Sequence, residues 1–411
     1  MSQSLTAISV VRERFARCAD GLAVALAMSL PWSTSATGIL AAAWLVAVIP
    51  TLERQSFHRI MALPAAWLAV LLVALGALGM LWAEVPWVDR LDGTEAYLKL
   101  LFVPLLLHHF SRSEFGRPVL IGFLVSCVAL LALSWTMLAW PGMPWPGQVK
   151  SLGVPVKDYI SQGAMFTLSI MLLAQLAYDG WRDGRRRWAL LLMALAVAFL
   201  ANLFYAATSR TSLVVIVVLL LIFGYRQFGW KGAVGLVVAC VLLAAAAWPS
   251  ASFLRFRVGT IAGEIMKFDP GGSPTAAGER MVYWQKSVRF IREAPLIGHG
   301  TDSIRAQFRR AAVGQTGMAA QVSSNPHNQL LAVGIQLGFV GMAVLLAMWL
   351  AHLALFRSAS FASWAGLIVV VQTFVGSLFN SHLFDFTHGW VYVVGVGIAG
   401  GTVLREAAAR R

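Results

Sequence analysis

Residues that suit proton transfer and anion binding stand far apart in this sequence. His327 lies in the run Asn325-Pro326-His327-Asn328. Because asparagine is a good helix N-cap and proline fits the first helical position, the run predicts a helix with His327 in its first turn. The positive field at a helix N-terminus disfavours imidazolium, so His327 would stay neutral and act as a general base. A buried histidine bonded to a backbone carbonyl is the alternative interpretation.

Several arginines suit the binding of phosphate. Arg280 and Arg289 lie in a long basic segment, from about Ser250 to His327, and Arg210 lies in a short TSRT turn between two apolar runs. A planar guanidinium donates two hydrogen bonds at once to a phosphate group. We therefore predict that some of these arginines hold a phosphorylated substrate. Contact with phospholipid headgroups is the alternative for any one of them.

The composition places these residues in a membrane protein. Hydrophobic residues make up 59% of the chain and charged residues 12%, about half the charged fraction usual in a soluble domain. Apolar runs of about 20 residues predict an all-α polytopic membrane protein with about twelve transmembrane helices. The predicted spans centre near Leu26, Trp44, Val70, Leu101, Leu130, Ser169, Val197, Val217, Val238, Val340, Val370 and Val394.

The charge pattern predicts the orientation. Lysine and arginine collect in alternate loops, which places both termini in the cytoplasm. Residues 1–249 would then hold nine spans, residues 250–327 a large periplasmic loop, and residues 328–411 three spans and a short cytoplasmic tail. The net charge of +14 accompanies no nucleic-acid-binding motif, so we expect membrane lipids, and no nucleic acid, as partners.

The predicted loop has helical periodicity of its own. Apolar residues recur at spacings of three and four between Glu279 and Glu293, namely Met281, Trp284, Val288 and Ile291. A second short helix is predicted to begin with Asp302 as its N-cap. It carries Arg305, Arg309 and Arg310. We expect both amphipathic helices to lie on the membrane surface with the apolar side toward lipid.

The sequence gives weaker indications of other binding residues, of a metal and of a cofactor. Asp385, in the last outer loop, would orient a histidine, bind a sugar hydroxyl or be a solvated loop acid. The sequence has no convincing metal-ligand spacing and no phosphate-binding or dinucleotide-binding glycine pattern. We therefore expect no metal and no cofactor, and arginines would balance the charge of a bound diphosphate.

Three segments together resemble the O-antigen ligase family, and more broadly the O-antigen ligase and polymerase superfamily. They are SRTSL with Arg210, GERMVYWQKSVRFIREAPLIGHG with Arg280, and PHNQLLAVGIQLGFVG with His327. The resemblance at motif strength covers about residues 205–345. It implies a GT-C-like, inverting glycosyltransferase of the bacterial inner membrane with a periplasmic active site.

The resemblance also implies substrates and roles. The donor would be O-antigen on undecaprenyl diphosphate, and the acceptor a sugar hydroxyl of lipid A-core. His327 would be the base, with Arg210 and Arg280 as the diphosphate-binding pair. The further candidates for substrate binding are Arg289, Asn328, Tyr283, Arg305, Arg309 and Asp385. Association with a polymerase or a chain-length regulator is a further expectation.

Three other activities stay open at this point. An O-antigen polymerase and a protein O-oligosaccharyltransferase would use the same donor with another acceptor. A lipid or polysaccharide transporter would need ionisable residues in mid-span, where this sequence has few. The surplus of arginines in the predicted loop favours the ligase, because lipid A-core is itself strongly anionic.

Overall fold

The protein is described by a computed structural model that covers residues 2–145, 151–266, 269 and 275–410. In these ranges it is helical. The α-helices are α1 Ser2–Ser29, α2 Thr34–Val48, α3 Arg54–Met61, α4 Pro64–Gly79, α5 Trp87–Leu98, α6 Phe102–Phe110, α7 Gly116–Ala139, α8 Tyr159–Arg182, α9 Arg186–Tyr205, α10 Arg210–Ala247, α11 Ser252–Met266, α12 Ala276–Glu293, α13 Ser303–Ala312, α14 Gln329–Leu355, α15 Phe361–Gly376 and α16 Phe386–Ala409.

The helices confirm the class of fold. Among the described residues, seven helices are long and apolar enough to cross a membrane, or eight if the pair α3 and α4, bent by 82°, forms one span. Every predicted centre lies in a helix, although Leu101 lies in a 3-10 turn between α5 and α6. The chain is therefore an all-α polytopic membrane protein, and the count of twelve spans stays a prediction.

Helix α10 contains two of the predicted spans. Its backbone breaks at Gly229, where φ is 70° and ψ is −169°. A Cβ placed on Gly224 would lie 2.6 Å from the Cα of Ala233, although nine residues of straight helix would separate them by roughly 13 Å. The two halves therefore fold back on each other. Glycine suits the turn because its φ is positive there.

Helices α12 and α13 build a second, smaller core. Tyr283, Phe290 and Ile291 of α12 pack with Ile304 and Phe308 of α13, together with residues of α14. The rings of Tyr283 and Phe308 meet edge to face, with centroids 5.4 Å apart. Helices α12 and α13 therefore pack as a layer of protein on α14.

This layer corrects the predicted apolar stripe of α12. Of the residues predicted to share it, Ile291 is buried, Met281 and Trp284 are partly exposed, and Val288 is 40% exposed. The buried side lies about one residue away from the predicted stripe, because Tyr283 and Phe290 pack on protein. The periodicity predicted the helix correctly. It could not show whether the predicted stripe or the side with Tyr283 and Phe290 packs against protein.

The segment Pro295–Gly300 joins this layer to the bundle. Helix α14 breaks at Gly338, where φ is 62°. There the Phe339 N–H donates to the Pro295 carbonyl over 2.7 Å, and the Gly300 N–H donates to the Gln336 carbonyl over 2.9 Å. The inserted segment thus satisfies backbone groups that the break leaves free. This junction connects the segment after α12 to the break in α14.

Candidate active site

Arg210 is the first residue of α10, and the Ser209 side chain caps this helix. The Arg210 guanidinium donates to both carboxylate oxygens of Glu264, over 2.5 and 3.1 Å. It also donates to Thr260 Oγ1 over 2.7 Å and to the Arg257 carbonyl over 2.8 Å. All these partners lie on α11. Arg210 is therefore held by protein groups in this state.

Glu264 connects three helices. Besides Arg210, its carboxylate accepts the backbone N–H of Ala277, in the first turn of α12, over 3.0 Å. These hydrogen bonds, that of Arg210 above all, lower the pKa of Glu264 to about 2. The carboxylate is thus charged at neutral pH and joins α10, α11 and α12 at one point.

Arg280 lies one turn after Ala277 on α12 and is in the opposite state. Its Nε atom is buried without a hydrogen-bond partner, and no hydrogen bond or ion pair joins its side chain to the described residues. Burial, followed by the positive charge of Arg210, lowers the pKa of Arg280. An anion bound here, in addition to the Glu264 carboxylate, would meet a guanidinium that has no hydrogen-bond partner among the described residues.

The surroundings of His327 differ from the prediction. Helix α14 begins at Gln329, and its N-cap is Asn328, whose side chain accepts the Leu331 N–H. His327 therefore lies before the helix, in a left-handed conformation with φ of 54°. The prediction of His327 in the first helical turn, with Asn325 as N-cap, is wrong. Asn325 instead accepts the His327 N–H over 2.8 Å in a local side-chain turn.

The hydrogen bonds of Asn380 define the tautomer of His327. Asn380 Oδ1 accepts the Ser381 N–H and the Asn325 Nδ2 amide, each over 2.9 Å. The same oxygen lies 3.2 Å from His327 Nδ1. Because this oxygen only accepts, His327 Nδ1 must carry a hydrogen. In the neutral ring, Nε2 then keeps the lone pair that a general base needs.

Two further neighbours act on His327. The Tyr283 ring stacks on the imidazole with centroids 6.1 Å apart and planes at 15°. Burial of His327, followed by the nearby charge of Arg280, lowers its pKa, and the Asn380 hydrogen bond opposes this shift. These causes, rather than the helix terminus, favour the neutral form of the imidazole. Arg210, Arg280, Tyr283 and His327 thus form one neighbourhood on α10, α12 and the start of α14.

The remaining predicted residues form no hydrogen bond, ion pair or ring contact with the side chains of Arg210, Arg280 or His327 among the described residues, although Asn328 directly follows His327 in the chain. Arg289 is exposed and forms an ion pair with Glu293 of its own helix. Arg305 and Arg309 are exposed on α13, and the structure gives neither a contact with His327. Asn328 and Asp385 are the N-caps of α14 and α16. Substrate binding by these five residues stays a prediction.

Two residues were missed by the sequence analysis. Glu264 is one of five acidic residues between Ser250 and His327, so its position in the sequence did not single it out. The residues around Asn380 gave no indication of its contact with His327, because the two residues are 53 positions apart in the sequence. No group of three or more histidine, cysteine, aspartate or glutamate side chains in the described ranges is arranged to hold a metal ion. Metal independence itself stays a prediction.

Fold and site together define a class: a helical membrane protein with a neutral imidazole and two arginines gathered where α10, α12 and α14 begin. Residues 195–346, which contain all three side chains, match the family model described as O-antigen ligase. The match confirms the predicted resemblance to the O-antigen ligase family over these residues. Members of this family are glycosyltransferase-like enzymes of lipopolysaccharide synthesis. No curated protein matches the chain.

Proposed function

We propose that this protein is an O-antigen ligase of the bacterial inner membrane. It would transfer O-antigen from undecaprenyl diphosphate to a sugar hydroxyl of lipid A-core on the periplasmic side, without a metal. One observation carries the proposal: a neutral imidazole with a free Nε2 lies beside an unpaired, half-buried guanidinium, Arg280. A base next to an anion-binding group is what glycosyl transfer from a lipid diphosphate requires.

The reaction follows from these two groups. The acceptor hydroxyl attacks the anomeric carbon of the donor, and His327 Nε2 takes its proton as the new carbon–oxygen bond forms. The bond between the anomeric carbon and the diphosphate oxygen breaks, and its electron pair leaves with undecaprenyl diphosphate. Attack from the face opposite the leaving group inverts the anomeric carbon.

The arginines stabilise the leaving group. Negative charge grows on the diphosphate as the bond breaks, and Arg280 has donors ready to meet it. Arg210 joins when the diphosphate replaces Glu264 as its anionic partner. This exchange keeps an anion on Arg210 throughout, so the guanidinium is never left unpaired.

The exposed arginines of α13 support lipid A-core as the acceptor. Arg305 and Arg309 lie on the open side of the helix, while Arg310 donates to Glu84 over 2.8 Å. Phosphates of the acceptor would meet this surface. If so, replacing Arg305 and Arg309 by Ala together should raise the KM for lipid A-core and leave the donor KM unchanged. An equal rise in both would count against this assignment.

The test is transfer by the purified, full-length protein in lipid nanodiscs. Lipid-linked O-antigen and lipid A-core are supplied with chelator present, and lipopolysaccharide is followed on gels. We expect product from the wild type, loss of product by about 100-fold or more in His327→Ala, and normal activity in His58→Ala, a change of an exposed histidine on α3.

Other results identify the rival activities. Extension of the donor glycan without use of lipid A-core would identify a polymerase. Transfer to protein would identify an oligosaccharyltransferase. No transfer to any acceptor, from protein that is folded and binds the donor, would refute the proposal.

A further inference from the structure

A small pocket between α8, α10, α15 and α16 lies beside the candidate site, and its lining mixes polar with apolar side chains. No step of the proposed reaction uses it. Thr211 and Ser212, which follow Arg210 in the chain, line one side. His382, two residues after Asn380, and His388 of α16 line another. The segments next to Arg210 and Asn380 therefore also line this pocket.

Three side chains that line the pocket carry buried polar atoms without a partner. They are His382 Nδ1, His388 Nε2 and Gln372 Oε1. His382 is 4% exposed and Gln372 is 8% exposed, and the two imidazole rings have centroids 4.1 Å apart. Buried polar atoms in native proteins nearly always have a hydrogen-bond partner. Three such atoms around one pocket point to a polar occupant.

The partner of His388 shows what kind of group fits. Asp385 Oδ1 accepts the His388 Nδ1–H over 2.8 Å. A carboxylate oxygen only accepts, so Nδ1 carries the hydrogen and Nε2 of the neutral ring keeps its lone pair. A hydroxyl in the pocket can donate its hydrogen bond to that lone pair.

Charge and size restrict the occupant further. The described residues that line the pocket include no lysine and no arginine, so no permanently charged cation lines it to bind an anion. The free volume is about 20 Å³, which is room for a water or one hydroxyl group but not for a whole sugar ring. A single hydroxyl group on a larger molecule satisfies both conditions.

We propose that this pocket binds one saccharide hydroxyl, which donates its hydrogen bond to His388 Nε2. The inference rests on the proposed function, because the saccharide is the acceptor sugar or the glycan of the donor. Two binding functions would then lie at different places: Arg210 and Arg280 bind the charged diphosphate, and the pocket binds a neutral sugar.

The test measures binding, so that it does not depend on transfer. Native mass spectrometry of the full chain in nanodiscs gives the Kd for lipid A-core, for undecaprenyl-diphosphate-linked glycan, and for undecaprenyl diphosphate alone. These are compared in the wild type, His388→Gln and His108→Gln. His108 is the matched control, because it is also buried with unpartnered ring nitrogens and does not line this pocket.

We expect His388→Gln to weaken binding of one saccharide-bearing lipid by about tenfold, the usual scale for one lost hydrogen bond, with undecaprenyl diphosphate unchanged. The lipid affected identifies the source of the hydroxyl. Unchanged binding of both saccharide lipids would mean that the pocket holds water only and would overturn the inference. Equal weakening of undecaprenyl diphosphate would overturn it as well. Wild-type protein that binds these lipids but transfers nothing would refute the proposed function and leave this inference standing.

Discussion

The two arginine-bearing sides of the candidate site hold their guanidiniums in opposite ways. Arg210 donates four hydrogen bonds to α11, two of them to Glu264, and its side chain is 22% exposed. Arg280, on α12, makes none with the described residues and has a buried, unpartnered Nε. A carboxylate and a diphosphate compete for the same face of a guanidinium. In the proposed function, Arg280 would therefore bind the donor at once, whereas Arg210 would first have to exchange Glu264.

The largest effect in this comparison is expected from Arg280→Ala. Removal of a charged donor that meets the leaving group should lower kcat/KM by about 100-fold. Arg292→Ala is the matched control, because Arg292 is exposed on the same helix, and it should have little effect. Steady-state transfer rates check this. If both substitutions had the same small effect, Arg280 would be a lipid contact and the contrast with Arg210 would have no catalytic meaning.

Local sequence signals predicted the elements of this site better than their contacts. The helix between Glu279 and Glu293 followed from its periodicity, because three-and-four spacing is a property of neighbouring residues. In the structure this helix begins three residues earlier, at Ala276. The start of α14 was predicted three residues too early, since Asn325 and Asn328 are equally good N-caps and only the fold selects between them. This error placed His327 in the first helical turn, whereas it lies before the helix.

The long-range contacts had no local signal at all. Arg210 and Glu264 are joined over 54 positions, and His327 and Asn380 over 53. Such pairs depend on which helix ends the bundle brings together, and single-sequence patterns do not contain that information. Arg210, Arg280 and His327 were recognised together because each lies in a segment that resembles the same family.

An intermediate effect is expected on the side of the site that holds the base. Asn380→Ala removes the acceptor of the His327 Nδ1–H, so the reactive tautomer is no longer fixed and kcat should fall about tenfold with little change in donor KM. The Asn380 hydrogen bond raises the pKa of His327, so its loss should move the acid limb of the pH–rate profile to lower pH.

Asn380→Asp is the rescue variant for this prediction. It retains an accepting oxygen and should recover most of kcat. Its negative charge stabilises imidazolium, so the acid limb should move to higher pH instead. Equal losses in both variants, with no movement of the limb, would mean that Asn380 only supports the fold.

A smaller effect, of opposite sign, is expected from Glu264→Gln. The change removes the negative charge that competes for Arg210, so undecaprenyl diphosphate should bind about fivefold more tightly, the scale of a partly exposed ion pair. Glu293→Gln is the control, because that acid pairs with the exposed Arg289. Equilibrium binding in nanodiscs measures both. Weaker binding in Glu264→Gln would show that Glu264 positions Arg210 for the donor rather than competing with it.

The smallest effect tests the comparison most directly, through the pKa of His327. The charge of Arg280 lowers this pKa, whereas the charge of Arg210 is balanced by Glu264. Arg280→Ala should therefore raise the pKa of His327, and Arg210→Ala should leave it in place, when the histidine is titrated by NMR in nanodiscs. Both variants remove one arginine from the same site, so a general loss of structure would move the two titrations together. Equal shifts would mean that Glu264 does not balance Arg210, and the two sides of the site would then be electrostatically alike.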